Sequence, residues 1–177
     1  MIMLQNLFRT RPREHPVLPL YEAAVRQARD PAFYTRLGVA DRIDARFELY
    51  TLHVLLLVMR LRDEGDRGAE VGQALFNTYV SALDHALREL GVGDVSVGKK
   101  MRKLGEALYG RMTAYEPPLR DANVPALAAG LARNVYESGD ATVGEALAAY
   151  ALASRARLAA QPFDVVAKAP EWAETGA

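Results

Sequence analysis

The chain has no cysteine among its 177 residues. That absence removes disulfides, thiolate metal sites, cysteine nucleophiles and covalent haem attachment together. It is also compatible with a reducing compartment. Histidine is nearly as scarce: only His15, His53 and His85 occur, and none has a second histidine one helical turn away with which to share a metal ion. No nucleophile stands in a recognisable constellation with a base. The expectation is no catalytic residue, no metal and no cofactor, hence a protein that binds rather than breaks bonds. Charge of either sign is not in excess, with 22 basic and 22 acidic residues. No specific nucleic acid is implied, and any electrostatic recognition must be local.

Long apolar runs are missing as well. The longest, Val54 to Met59, lies between His53 and Arg60, far short of the roughly 18–20 residues a membrane span needs. The opening residues lack a signal-peptide cleavage pattern, which leads to the expectation of a cytoplasmic protein. The pair Gly91 and Gly93 invites comparison with a dinucleotide-binding loop, but such a loop must follow a strand and open a helix. Here it follows a helical stretch, and Ser96 occupies the third glycine position.

What is present is helical periodicity over nearly the whole chain, with no convincing alternating strand. The fold class expected is all-α, a single compact bundle of about six to seven helices large enough to bury roughly 70% of its unfolded surface. Leu20, Tyr21, Ala24, Val25 and Ala28 mark a first helix, stopped at Asp30-Pro31. Phe33 and Tyr34 sit in a single turn ending near Gly38. Asp41 is placed to cap a helix running to about Glu64. That helix carries Phe47, Tyr50, Val54, Leu57 and Leu61 on one face and Leu49, Leu52, Leu56 and Met59 on another, a pattern expected at the centre of a bundle. Phe76, Val80, Leu83, Leu87 and Leu90 give the next helix a core face, and Gly91 suits the position just beyond its end.

Asp94 or Ser96 can cap the helix that follows, which directs Val97, Met101, Leu104, Leu108, Met112 and Tyr115 to the core. Interior Gly110 suggests close approach of another backbone, and Glu116-Pro117-Pro118 is expected to end that helix. Two shorter helices follow, one on Val124, Leu127, Leu131 and Val135, the other on Val143, Leu147, Tyr150 and Leu158. The domain reading is a flexible basic tail over 1–15, a helical domain over 16–166, and a loose C-terminal tail over 167–177 in which Trp172 lies. Phe163 and Val165 are candidates to dock.

Three local patterns carry potential chemistry. Arg46, His53 and Arg60 recur at seven-residue spacing on one stripe of the central helix, which could floor an apolar groove with a few fixed polar groups. Lys99, Lys100, Arg102 and Lys103 form the densest positive cluster, able to meet phosphate on ribosomal RNA or acidic lipid. Leu4, Leu7 and Phe8 ahead of Arg9, Arg11 and Arg13 could touch an anionic membrane surface. Around His85, Asp84 and Arg88 read as an exposed pair at helical spacing.

Taken in order, a set of short stretches resembles the ubiquinol–cytochrome c chaperone family. These are Phe33-Tyr34 with Leu37-Gly38-Val39 and Asp41, Arg46-Phe47 with Leu52-His53, and Arg60-Leu61. Gln73 to Phe76, Leu87 to Asp94, and Tyr109-Gly110-Arg111 with Tyr115 continue it, and a fainter match covers Leu131 to Tyr136. Asn77 and Leu90 depart from the family pattern, where aspartate and methionine are expected. The resemblance implies an all-helical, non-enzymatic assembly factor for the complex that oxidises ubiquinol and reduces cytochrome c. Its expected partner is newly made cytochrome b as a client, at the ribosome or the inner-membrane surface, and composition favours a bacterial member. A chaperone needs an exposed or openable apolar surface. The candidate client-binding residues are Phe33, Tyr34, Arg46, Phe47 and His53 on its floor, with Arg88, Asp94, Tyr109 and Arg111 at its rim. The alternatives are a generic helical adaptor for another membrane protein and a haem or small-molecule carrier using His53.

Overall fold

One helix organises the molecule. In the computed structural model, which describes residues 17–175, helix α3 spans Ile43–Arg62 and every residue from Thr51 to Leu61 is buried. A helix apolar on all sides can be stable only if neighbours enclose it completely. The chain supplies them from both directions: α1 (Leu18–Ala28) and α2 (Pro31–Thr35) precede it, and α4 (Asp66–Glu89), α5 (Asp94–Arg120), α6 (Val124–Val135) and α7 (Glu145–Ala160) follow. A 3-10 turn, Ala141–Gly144, joins α6 to α7, and a single-turn α8 (Phe163–Val166) closes the series. Helices α1, α4, α5, α6 and α7 all pack on α3. The all-α bundle expected from periodicity is what the chain forms.

Helix ends follow local chemistry, with some exceptions. Asp30 accepts the amide of Ala32 at 2.9 Å and Pro31 begins α2, so one dipeptide both ends α1 and starts the next helix. Asn123 caps α6 through the amide of Ala126 at 3.0 Å. Asp41 does not cap α3. Arg42 holds that position in extended backbone, while the Asp41 carboxylate takes Arg46 Nε at 2.7 Å. A charged partner one turn into the helix outcompetes the backbone amides for it.

At the corner between α4 and α5, Gly91 has φ +79°. Val92 N donates to Leu87 O at 3.2 Å and Gly91 N to Arg88 O at 3.0 Å, the paired bonds that satisfy a helix's last carbonyls when glycine turns left-handed. Gly93 precedes α5, so neither Asp94 nor Ser96 caps it. Asp94 is instead the first helical residue, where its charge opposes the positive end of the helix.

Several expectations need correction. Pro117 and Pro118 do not end α5, which runs on to Arg120. Both lie in its final turn, and the carbonyls deprived of their amide partners belong to exposed Thr113 and Ala114, open to water. Gly110 meets no neighbour: a Cβ there would have nothing within 4 Å. The close approaches occur at Gly68, where a Cβ would overlap Leu61 O, and at Gly144, where it would overlap Ala128 O. Val143 and Val165 face outward at 39% and 42% exposure. The 3-10 turn shifts the helical phase so that Gly144 meets α6, and Val166 rather than Val165 docks with Phe163.

The segment after α8 is not loose through Thr175. Glu171 N donates to Gln161 Oε1 and Gln161 Nε2 returns to Glu171 O, each at 2.8 Å, and Ala173 N reaches Ser154 Oγ at 3.3 Å. The basic tail expected over 1–15 lies outside the described residues.

Gly144 makes the seat of the 3-10 turn testable. Gly144→Ala should cost about 3 kcal/mol through backbone displacement, read as a lower urea midpoint. Gly110→Ala, in open space inside a helix, should gain about 1 kcal/mol.

Candidate functional site

Four polar residues of α3 are buried. Thr51 shares a hydrogen bond with the Tyr79 hydroxyl of α4 at 2.8 Å, and the other three are answered from farther along the chain. Glu48, 5% exposed, receives Arg111 from α5: Nε lies 3.1 and 3.0 Å from the two carboxylate oxygens and Nη2 is 2.5 Å from Oε1. The bond to Glu48 raises the Arg111 pKa above its ordinary value. Arg60, 8% exposed, donates to Leu158 O at 3.0 Å and Gln161 O at 2.9 Å, and pairs with Glu64 at 2.9 Å. Its guanidinium thereby meets carbonyls at the end of α7, where a cation is favourable.

His53 is fully enclosed. Its Nδ1 donates to Leu49 O at 2.7 Å, which fixes the tautomer because a carbonyl can only accept. Nε2 therefore accepts the Tyr150 hydroxyl at 2.8 Å, and Gln27 Nε2 donates to that same hydroxyl at 3.2 Å. Around the ring stand Phe33 at 5.4 Å and Trp172 at 5.0 Å between centroids, both edge-on, with Tyr150 at 5.7 Å. Burial lowers the His53 pKa to about 4, and the bond donated to Leu49 O only partly offsets it. The imidazole is neutral near pH 7, and both its nitrogens are committed, so no ring nitrogen faces a cavity where haem could sit.

The nine residues singled out from sequence therefore divide among five places. Phe33 and His53 lie in the core, each with no exposed surface. Tyr34, Arg46 and Phe47 border the surface where α2 meets α3. There Tyr34 donates weakly to Ala28 O at 3.4 Å, and Arg46 is held by Asp41. Burial raises the Tyr34 pKa, and the Arg46 charge works against that rise. Arg88 and Asp94 clamp the hairpin corner, Arg88 bonding Asp84 at 2.8 Å and Asp94 at 2.5 Å. Arg111 is engaged with Glu48, and Tyr109 stands 74% exposed. The stripe Arg46, His53, Arg60 does not line one groove: its members are exposed, enclosed and capping α7 in turn.

Tyr109 does stand at a cleft. Phe76 and Val80 of α4 face Met101, Leu104, Leu108 and Met112 of α5 across a space of about 420 Å³. Phe76, Leu108 and Met112 also border Val54 and Val58, so α3 forms the floor. These side chains were expected in the core, and most are only half-buried. Periodicity identifies the face a helix turns inward but not whether a third helix arrives to cover it, and along this part of α4 and α5 none among the described residues does. Among the described residues no cluster of three or more His, Asp or Glu could hold a metal ion, and no helix is long and apolar enough to cross a membrane.

Comparison with known proteins places this architecture. A family model described as "Ubiquinol-cytochrome C chaperone" matches residues 35–172. In sequence the chain is similar to the ubiquinol-cytochrome-c reductase complex assembly factor 1 of Xenopus laevis, 24% identical over 119 residues. That match takes in 67% of this chain but only 58% of the longer relative. In structure the chain is similar to the crystal structure of the Cbp3 homolog from Brucella abortus, with a TM-score of 0.82 and 33% identity. The match covers 92% of this chain and 91% of that one.

Two measurements probe the buried polar groups. Because His53 is neutral in the fold with a pKa near 4, against an ordinary 6.5, the unfolded chain binds the extra proton between those values. Its contribution is intact above pH 6.5 and falls as pH drops, by about 2 kcal/mol between pH 7 and 5. His53→Gln should flatten that part of a urea-denaturation series. Arg111→Met should cost about 3 kcal/mol by stranding Glu48, and the double change Glu48→Leu/Arg111→Met should recover most of it.

Proposed function

This chain belongs to the ubiquinol–cytochrome c chaperone family, and from that membership we propose that it assists assembly of ubiquinol–cytochrome c reductase by holding newly made cytochrome b. Its role is non-enzymatic: it binds an incomplete membrane protein and gives it up as the complex grows. It works in a bacterial cell, on the cytoplasmic side, as a peripheral protein of the inner membrane.

The observation that carries this reading is the cleft between α4 and α5. Exposed apolar surface lined by several large side chains is uncommon on a protein without a partner and marks sites of interaction. Its walls fit an apolar segment. Met101 and Met112 are flexible and polarisable, able to follow differently shaped side chains. Tyr109 at the rim can pack its ring on an apolar partner while its hydroxyl stays wet. The enclosed His53 and Phe33 act indirectly, by holding α3 rigid beneath the cleft. Tyr34, Arg46 and Phe47 form a second, more polar surface at which a further contact with the client is made.

Tyr109→p-benzoylphenylalanine should crosslink cytochrome b on illumination in cells that make ubiquinol–cytochrome c reductase. Leu104→Glu, which sets a charge in the half-buried wall, should reduce that adduct at least about tenfold with the helical spectrum unchanged. Absence of a cytochrome b adduct at position 109 would sink the cleft assignment. An unaltered reduced-minus-oxidised cytochrome b spectrum after deletion of the gene would sink the assembly role itself.

A further inference from the structure

The far end of the α4–α5 hairpin is built differently from the rest of the molecule. Between Asp84 and Ala107 only Val97 is buried, and Val97 stands apart from the main core. At the corner Leu90 is 66% exposed and Val95 95% exposed. Just beyond them α5 carries Lys99, Lys100, Arg102 and Lys103, all exposed. Val95, Lys99, Arg102 and Lys103 follow one another at intervals of four, seven and eight residues from Val95, which sets them on one side of the helix.

Charge pairing leaves this cluster largely unopposed. Among the described residues Lys99, Lys100 and Lys103 make no ion pair, and Arg102 has only Glu106 at 3.9 Å, with both side chains more than 70% exposed. Asp84 and Asp94 are both taken by Arg88. Glu89 is the one carboxylate at the corner without an ion pair among the described residues.

We propose that this corner is a membrane-contact element, seating Leu90 and Val95 in the interface of an anionic bilayer while Lys99, Lys100 and Lys103 meet lipid phosphates. Single exposed apolar residues are ordinary on protein surfaces. A protruding corner that combines two of them with unpaired lysines on an adjoining helix face matches both layers of a bilayer surface at once. An RNA backbone would satisfy the lysines but leave Leu90 and Val95 in water, and no aromatic side chain lies between Leu90 and Leu108 to stack on bases. Contact at the corner would bring the cleft, which begins at Met101, to the bilayer surface. That setting rests on the reading of the chain as a chaperone for a membrane-protein client, whereas the binding itself does not.

The test uses the full chain and vesicles, with no client present, so its outcome is independent of cytochrome b capture at Tyr109. Vesicles of equal parts phosphatidylglycerol and phosphatidylcholine should bind the protein, and pure phosphatidylcholine should not. Lys99→Gln/Lys100→Gln/Lys103→Gln should lower partition about tenfold or more, as should molar salt. Leu90→Ser/Val95→Ser should lower it with the charge unchanged. All of these side chains are exposed, so the fold should be retained. Because the chain has no cysteine, Val95→Cys takes a single environment-sensitive dye, whose emission should shift to the blue on anionic vesicles. Undiminished partition of both corner variants would overturn the proposal and move the contact elsewhere in the chain. A dye unmoved by vesicles but shifted by a protein partner would overturn it equally.

Discussion

The structure depends on the need to satisfy charged and polar groups that α3 carries into the interior. Glu48, His53 and Arg60 each find a partner on another helix, and those partners lie 63, 97 and 98 residues away. A buried polar group without a partner costs more than a buried contact returns. The three pairs therefore act as pins that set α5 and α7 against α3 at one rotation and one height. An apolar helix surface alone tolerates sliding, because one leucine packs nearly as well as the next. Arg111 on Glu48, Tyr150 on His53 and Leu158 O on Arg60 do not.

That division of labour explains what can vary and what cannot. In the interior every buried polar side chain of α3 is engaged, and the only tryptophan is laid against the His53 ring. The outer half of the α4–α5 hairpin is the opposite: two helices in contact with each other, tied at their corner by Arg88, with apolar side chains half in water. Rigidity beneath and incompleteness above suit a surface whose partner is another chain. A cleft that no third helix covers among the described residues offers the packing of a bundle interior to whatever helix fills the place.

Much of this was legible in the sequence. Gly91 marks the end of α4, and the two apolar faces of the helix ending near Glu64 correctly read as the middle of a bundle, because a helix apolar on two faces needs neighbours on both. The losses have physical causes. Asp41 was a good cap by type, but only the fold reveals that Arg46 claims it. Pro117 and Pro118 break a helix by rule, yet at the last turn of α5 the carbonyls they orphan are solvated. Glu48 lies in none of the patterns read from the sequence, and nothing local to it names Arg111. His53 drew attention as a site residue for the same reason that buries it, a polar ring amid apolar neighbours, whereas Phe33 came with the family resemblance. The cleft was the hardest to foresee, since Met101 and Leu104 follow the same pattern as buried Leu108 and differ only in what lies above them.

The pin between His53 and Tyr150, and the one between Arg60 and Leu158, also set an order of events during synthesis. Two sides of α3 can be covered early, by α1 and α4, which are its near neighbours in the chain. The third stays open until α7 has left the ribosome, and Trp172 must follow before the ring of His53 is closed over. For most of its own translation, then, this protein holds a nascent helix with an uncovered apolar flank. A molecule proposed to shelter another chain at that stage passes through the same exposure itself.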